Sequence, residues 1–523
     1  MKLRKTLIVA VAALLATPAL ARDVRIGLAS EPTSMDPHFH NLTPNNAALS
    51  QVFDYLIAND ANQKPIPALA ESWRAVDEHT WEFKLRRGVK FHDGSDFTVD
   101  DVIATFARVP TVPNSPSSFS AYVKGRTIEK IDEHNFRIRT DEPSPLVPND
   151  LTQVLITSRK AQNASTVDFN STKAAIGTGP YRLAEYVPGD RIVLERFDGF
   201  WGPKPPFEKV ILKPIKSDPT RVAALQAGDV DMIEAVPTTD VARLKKDPNV
   251  AVASGVSNRV IYFYMDQFRP ETPYVKSKSG EPIKNPFLNR DVRLALSKAI
   301  NRQGIVDRVM EGSAIPAGQL LPEGFFGVSP KLKPTPYDPN DAKQLLAKAG
   351  VQGFKLVLHG PNDRYVNDAR IVEAAAQMLT RIGVETSVET MPSAVFFKRA
   401  SQGGPNNTPE FSMSLAGWSP GTGEASSSLI SLIHTYDAQK GFGASNRGRY
   451  SNPEADALME QGIATIDDAK RQDLLSRATE VAMEDVAIIP IHYQVNNWAT
   501  RKGLVYTPRT DEYTTVRSLA VSP

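Results

Sequence analysis

The sequence predicts a mixed α/β fold, and three features carry that expectation. Phe354, Leu356 and Leu358 alternate with other residues as the inward side of a strand does. Ile371, Ala374, Ala375, Met378, Leu379 and Ile382 then recur on one helical face, Gly383 stops the helix, and residues 384–388 begin a second strand. A strand, helix and strand at this spacing predict a β-α-β crossover, parallel and right-handed. The third feature is the length of 523 residues, which suits two to four domains or lobes.

From the N-terminus, Lys2, Arg4 and Lys5 precede an uncharged apolar run over residues 7–15, and small residues stand at Ala19 and Ala21. This is the layout of a cleaved secretory signal over residues 1–21, with the cut before Arg22. The run falls short of the roughly 18–20 residues that span a bilayer, so a retained anchor is the weaker reading. The segment holds three of the 61 basic residues and none of the 59 acidic ones, so its removal leaves 58 against 59. A near-neutral chain has no global field to attract nucleic acid or anionic lipid. There is no cysteine anywhere. A chain this long builds its core without disulfides, and no thiol follows the cut for lipid attachment. The expectation is a free, exported protein of a Gram-negative periplasm, not a lipoprotein.

Residues 23–28 alternate and read as a strand, running into a turn-rich loop at 31–37. Further strands are expected at 81–85, 135–140, 191–196, 209–214 and 259–266. Asp338 and Pro339 start a helix whose Leu345, Leu346 and Ala349 face inward and which Gly350 ends. Pro-rich patches at 110–116, 203–206 and 334–339 read as connections.

Gly417-Trp418-Ser419-Pro420-Gly421 fits the G-x-S-x-G elbow of serine hydrolases. That mechanism needs an N–H on the residue after the serine, and Pro420 has none. A secreted hydrolase using Ser419 is therefore the weaker alternative, and a non-enzymatic protein is expected. The eight histidines are scattered, with only His38 and His40 close together. They read as loop residues near a cleft rather than a metal pair, and neither metal nor cofactor is expected. Gly177-Thr178-Gly179-Pro180-Tyr181 is a structural turn, because Pro180 breaks any helix N-terminus that could hold a phosphate. Trp418 stands among Gly417, Pro420, Gly421 and Gly423, where two readings remain open, a ligand wall or plain core. Tyr262, Phe263 and Tyr264 lie on an expected strand, where aromatics are core by default.

Several stretches together resemble the extracellular solute-binding proteins of the oligopeptide, dipeptide and nickel class (family 5, cluster C) that serve ABC importers. They are Leu69-Ala70-Glu71-Ser72-Trp73, the run at 81–94, Phe97-Thr98-Val99-Asp100-Asp101-Val102, the loop at 31–37, the turn at 177–181 and Gly228-Asp229-Val230-Asp231. Residues 289–301, Tyr337-Asp338-Pro339 and Tyr450-Ser451-Asn452-Pro453 continue the likeness almost to the end. The resemblance implies a two-lobed, three-domain, type II-like periplasmic clamp with its ligand cleft between the lobes. Lobe I would combine 22–60, 180–262 and 490–523, an inserted domain 61–179, and lobe II 263–489. It implies capture of peptides or peptide-like solutes, such as modified peptides or opine-like conjugates. The implied partners are an inner-membrane permease and its ATPase subunits, the binding protein acting as a monomer.

In peptide-binding members an Asp shortly after the Gly-Trp pair holds the ligand ammonium, whereas Gly421 stands there in this chain. Glu424 is the nearest carboxylate, either a substitute or solvent-facing. Arg364 resembles an Arg that binds ligand carboxylate, the alternative being a surface Arg before a helix. Tyr264 and Trp418 would supply apolar walls. His38, with His40, is the feature to test for a metal-chelate ligand. A periplasmic chaperone-like peptide binder is the third class of reading.

Overall fold

The computed structural model describes residues 22–351 and 353–522, so the expected signal at 1–21 lies outside the described residues. The strand Arg22–Leu28 runs parallel to Phe207–Pro214, with Ile26 opposite Leu212. Antiparallel strands Arg191–Arg196 and Tyr181–Val187 extend that side, and Met232–Ile233 joins on the other. Val24, Ile26, Phe53, Tyr181, Leu194 and Trp498 pack into one buried core around this half.

Two long strands carry the sheet onward. Val250–Met265 and Ile489–Arg501 pair antiparallel from Val250 opposite Arg501 to Phe263 opposite Ile489. At one end Ile489–Arg501 meets Met232–Ile233; at the other Val250–Met265 meets Met413–Trp418. One thirteen-stranded sheet, eleven of its strands in a single hydrogen-bonded order, therefore passes through both halves of the molecule. The strand expected at 259–266 is present, and the element begins nine residues earlier. The hidden part contains Gly255, which a sequence pattern reads as a breaker. A Cβ there would lie 2.4 Å from Pro508 Cβ, so the glycine serves a close approach by the C-terminal segment.

The expected crossover is present. Phe354–Pro361 runs parallel to Val384–Met391, with Phe354 opposite Val384 and Leu358 opposite Val388. The helix Asp368–Arg381 connects them and buries Ile371, Ala375 and Leu379. Gly383 takes φ +97°, a conformation that lacks a Cβ penalty only for glycine. Asp338 caps the helix Pro339–Lys348 by accepting from the N–H groups of Asn340 (3.1 Å) and Asp341 (2.9 Å).

A separate antiparallel sheet orders Ala70–Asp77, Thr80–Leu85, Asn135–Thr140 and Arg126–Lys130 over its own core of Leu69, Phe83, Phe91 and Phe136. The turn at 177–181 ties it to the chain just after the helix Thr43–Leu49. A Cβ on Gly177 would lie 2.0 Å from the Val52 carbonyl oxygen, and the Gly179 N–H donates to that same oxygen at 3.0 Å. Because the obstacle is backbone, Gly177→Ala is expected to cost about 1–3 kcal/mol or more. Chemical denaturation of the variant checks this, and an unchanged midpoint would refute it.

Candidate functional site

Between the lobes lies a cleft of about 600 Å³. On one side stand the start of the helix Thr43–Leu49, the chain from Asp54 to Ala68, and the C-terminal stretch from Arg509 to Arg517. Tyr122, Thr152 and Gln153 enter from the part of the chain that carries the four-stranded sheet. Arg259, Arg364, Tyr365, Phe397, Arg447 and residues 417–421 form the opposite wall.

Local structure fixes that wall. Arg364 and Tyr365 lie just after Phe354–Pro361, where the crossover turns into its helix. Clefts in α/β folds form at such carboxyl ends of strands. Asp368 Oδ2 accepts from the backbone N–H of Arg364 (2.9 Å) and Tyr365 (3.0 Å), which pins the loop. The Tyr365 hydroxyl donates to the Gly417 carbonyl at 3.1 Å. A Cβ on Gly417 would lie 2.8 Å from Tyr365 Cε1, so glycine lets that ring seat against the strand. Trp418 ends the strand Met413–Trp418, opposite Val260, and stands half-buried on the cleft.

The loop that follows is held from across the cleft. Gln153 Nε2 donates to the Gly421 carbonyl at 2.7 Å, and Gln63 Nε2 donates to it at 3.2 Å. Asn258 Nδ2 donates to the Pro420 carbonyl at 2.9 Å, and Asn149 Nδ2 to the Thr422 carbonyl at 3.2 Å. Gln153, Gln63 and Asn149 thus reach across the cleft to the backbone of residues 421–422, while Asn258 holds Pro420 from its own wall.

The charges on the walls are mostly paired. Arg517 bonds Asp54 at 2.7 Å, Arg259 bonds the buried Glu512 at 2.6 Å, and Arg509 bonds Asp511. Arg364 and Arg447 have no ion pair among the described residues. Arg364 lies over the Tyr365 ring at 5.3 Å. Arg447 lies over the Phe397 ring at 5.3 Å, with its Nε donating to Ser401 Oγ at 3.3 Å.

Of the residues singled out from sequence, the cleft brings together Trp418, Arg364 and Gly421. It does not include Tyr264, Glu424 or His38. Tyr264 is buried with Leu429, Leu432 and Ala478. Ile261, Phe263 and Met265 fill the core on the other face of the same strand, so both faces are covered and alternation leaves no side for a ligand. Glu424 neither faces solvent nor reaches the cleft. It is buried against Arg471 beside a neighbouring cavity, and burial pushes its carboxyl up to about 7 despite that guanidinium. His38 is fully buried, its Nε2 donating to the Leu155 carbonyl at 2.8 Å and its Nδ1 accepting from Arg108 at 2.8 Å. His40 instead bonds Thr33 Oγ1 at 2.9 Å, and among the described residues no group of three potential ligands could hold a metal.

Arg447, Phe397, Gln153 and the C-terminal arginines carry no sequence motif, and only folding brings them to the cleft. Ser419 lacks a hydrolase setting. Its hydroxyl donates to the Asn258 amide oxygen, and no histidine lines the cleft among the described residues.

The sequence profile of the bacterial extracellular solute-binding proteins, family 5, matches residues 64–440. The chain belongs to this family. A family-5 protein is the solute-capturing component of an ABC importer, and the serine-hydrolase alternative is not favoured. Among curated relatives, heme-binding protein A of Haemophilus influenzae is 28% identical over 485 residues, covering 87% of this chain and 83% of that protein. The glutathione-binding protein GsiB of Shigella dysenteriae is 28% identical over 491 residues, covering 92% and 91%. The fold matches the periplasmic binding protein DppA of Helicobacter pylori, solved with the peptide STSA. That match has a TM-score of 0.77 at 22% identity and covers 96% of this chain and 98% of the other. The two-lobed α/β architecture of this family-5 chain thus agrees with the fold its sequence predicts. Among the described residues no helix is long and apolar enough to cross a membrane.

Proposed function

We propose that this protein captures a peptide or peptide-like small solute between its lobes and delivers it to an inner-membrane permease driven by ATPase subunits. The observation that carries this reading is the interlobe cleft, with Arg364 unpaired on one wall and the Trp418 ring beside it. A guanidinium fork suits a carboxylate, and an aromatic face suits the apolar body of a ligand. In this reading Arg364 binds a ligand carboxylate, Trp418 forms an apolar wall, and the backbone at Gly421 closes over the ligand. Lobes joined by two long strands are suited to hinge closure of the kind that buries a solute.

The same proposal takes lobe I as 22–60, 180–262 and 490–523, the inserted domain as 61–179, and lobe II as 263–489. Export follows from the segment 1–21, with a cut before Arg22, and the product is a free periplasmic monomer with no catalytic role.

Native mass spectrometry of the protein purified from its own periplasm tests this reading. A bound small peptide or amino-acid conjugate is expected. With that compound, Arg364→Ala is expected to weaken binding about tenfold to a hundredfold, the range for one charge-assisted bond. An empty protein with broad, weak affinity for extended chains would point instead to a chaperone-like binder.

A further inference from the structure

The charge balance of the cleft bears on the class of solute. Its lining contains two carboxylates, Asp54 and Asp511, and both are engaged by arginines of the C-terminal stretch. Asp54 Oδ2 further accepts from Thr178 Oγ1 at 3.0 Å and Trp201 Nε1 at 2.9 Å, so three donors already hold this carboxylate and Arg517 balances its charge. Glu512, just behind the wall, is held by Arg259. Among the described residues no free carboxylate remains on the lining to meet a ligand cation. The Pro420 and Gly421 carbonyls already receive the amides of Asn258, Gln63 and Gln153, which leaves the neutral Asn59 Oδ1 as an unbonded acceptor on the lining. Two guanidinium groups are left over, and they occupy different surroundings. Arg364 sits on the loop after Phe354–Pro361, whereas Arg447 is placed by Ser401 and Phe397.

We infer that the solute carries two separated anionic groups and no cationic amine. Two uncompensated cations on the walls favour a dianion, and an ammonium ion there would meet no free carboxylate. Arg364 takes one anionic group and Arg447 the other, while Trp418, Tyr365 and Phe397 line the space for the body between them. Neutral amide latching of residues 421–422 lets the lobes meet without a carboxylate at that edge. This inference rests on the proposed capture of a peptide-like solute and narrows it to N-blocked dicarboxylates and compounds of like charge.

Three probes on one skeleton test it by titration calorimetry on the intact protein. N-succinyl-L-phenylalanine has two carboxylates and no amine. N-butanoyl-L-phenylalanine replaces the second carboxylate by a methyl group. L-aspartyl-L-phenylalanine restores that carboxylate and adds an ammonium. The succinyl compound is expected to bind best, with each of the other two weaker by about tenfold or more. One of Arg364→Gln and Arg447→Gln should reduce the preference for the succinyl over the butanoyl compound, and the other should weaken both compounds alike through the carboxylate they share. Equal binding of the three, or tightest binding of the aspartyl compound, overturns the inference while leaving solute capture intact. Binding of free-amine peptides but of none of the three probes overturns it in the same way. If neither these probes nor a peptide library binds, the capture reading itself falls, and this inference with it.

Discussion

Arg108→Ala is expected to destabilise the protein by about 3–5 kcal/mol, the cost of leaving one member of a buried ion pair without its partner. Arg108 ends the helix Val99–Arg108, and its side chain and that of Asp36 are 3% and 0% exposed. Its two terminal nitrogens donate to Asp36 Oδ1 at 2.9 Å and Oδ2 at 2.7 Å, forming a bidentate fork. Thr166 Oγ1 adds a bond to Oδ2 at 2.8 Å, and the Phe169 ring lies 4.5 Å beneath the guanidinium. Burial opposes ionisation of Asp36, but the bonds and charge of Arg108 outweigh it and hold the carboxyl below its usual range. Truncating Arg108 leaves that buried carboxylate with only the Thr166 hydroxyl and the His38 backbone N–H and no countercharge, and leaves the acceptor nitrogen of His38 unbonded. The pair joins the turn-rich loop at 31–37 to the helix, so the loss should loosen lobe I against the inserted part of the chain. Guanidinium unfolding checks the magnitude. The double variant Asp36→Ala/Arg108→Ala should lose clearly less than the sum of the two single losses, because no orphan charge remains. Additivity of the two would show that the pair is not coupled.

Stability is also expected to fall steeply as pH drops from about 6.5 towards 4, through histidines held neutral by the fold. The hydrogen bonds of two of them dictate this. His38 Nδ1 faces Arg108, which can only donate, and His92 Nδ1 accepts from the Gly177 N–H at 3.2 Å. In both rings Nε2 already donates to a carbonyl, so a second proton would meet a donor. Burial, aided at His38 by the Arg108 charge, lowers both to about 4. Burial lowers His359 to about 4 and His492 to about 3 as well. For a group whose folded pKa is depressed, the unfolded chain takes up the proton first. Its contribution is therefore complete above the unfolded value near 6.5 and is lost as pH falls through the folded value. Each such histidine contributes on the order of 3 kcal/mol over that interval. Glu424 acts the other way. Its carboxyl, raised to about 7, is held protonated by the fold, so its contribution grows as pH falls from 7 towards the ordinary carboxyl range. Taken together, these five groups should take up about two to three protons per molecule on unfolding near pH 5. Calorimetric unfolding in buffers of different ionisation enthalpy measures that number. An unfolding reaction that takes up no protons between pH 7 and pH 5 would sink the account.

Much of the fold is legible in local sequence patterns. The crossover over residues 354–391 is readable because its helix shows one apolar face, its strand alternates, and Gly383 ends the helix at a positive φ. The site is only partly legible. Of the cleft lining, Arg364 and Trp418 stand out in the sequence because each lies at a strand end beside turn-forming residues. Tyr264 misleads because an aromatic on a strand looks the same whether one face or both are covered, and here both are. Glu424 and His38 mislead because the residues that occupy them, Arg471 and Arg108, lie 47 and 70 positions away.

The sequence by itself determined the α/β class, the family, and local elements such as the crossover over residues 354–391. These depend on periodicity, caps and turn residues, which neighbouring residues decide together. Tertiary structure alone decided which charges are free. Five arginines line the cleft, and sequence cannot tell that Arg259, Arg509 and Arg517 are neutralised while Arg364 and Arg447 are not. Arg517 meets Asp54 across 463 positions and Arg259 meets Glu512 across 253. Electrostatic complementarity is a property of distance in space, and the chain brings those partners together only when both lobes have folded.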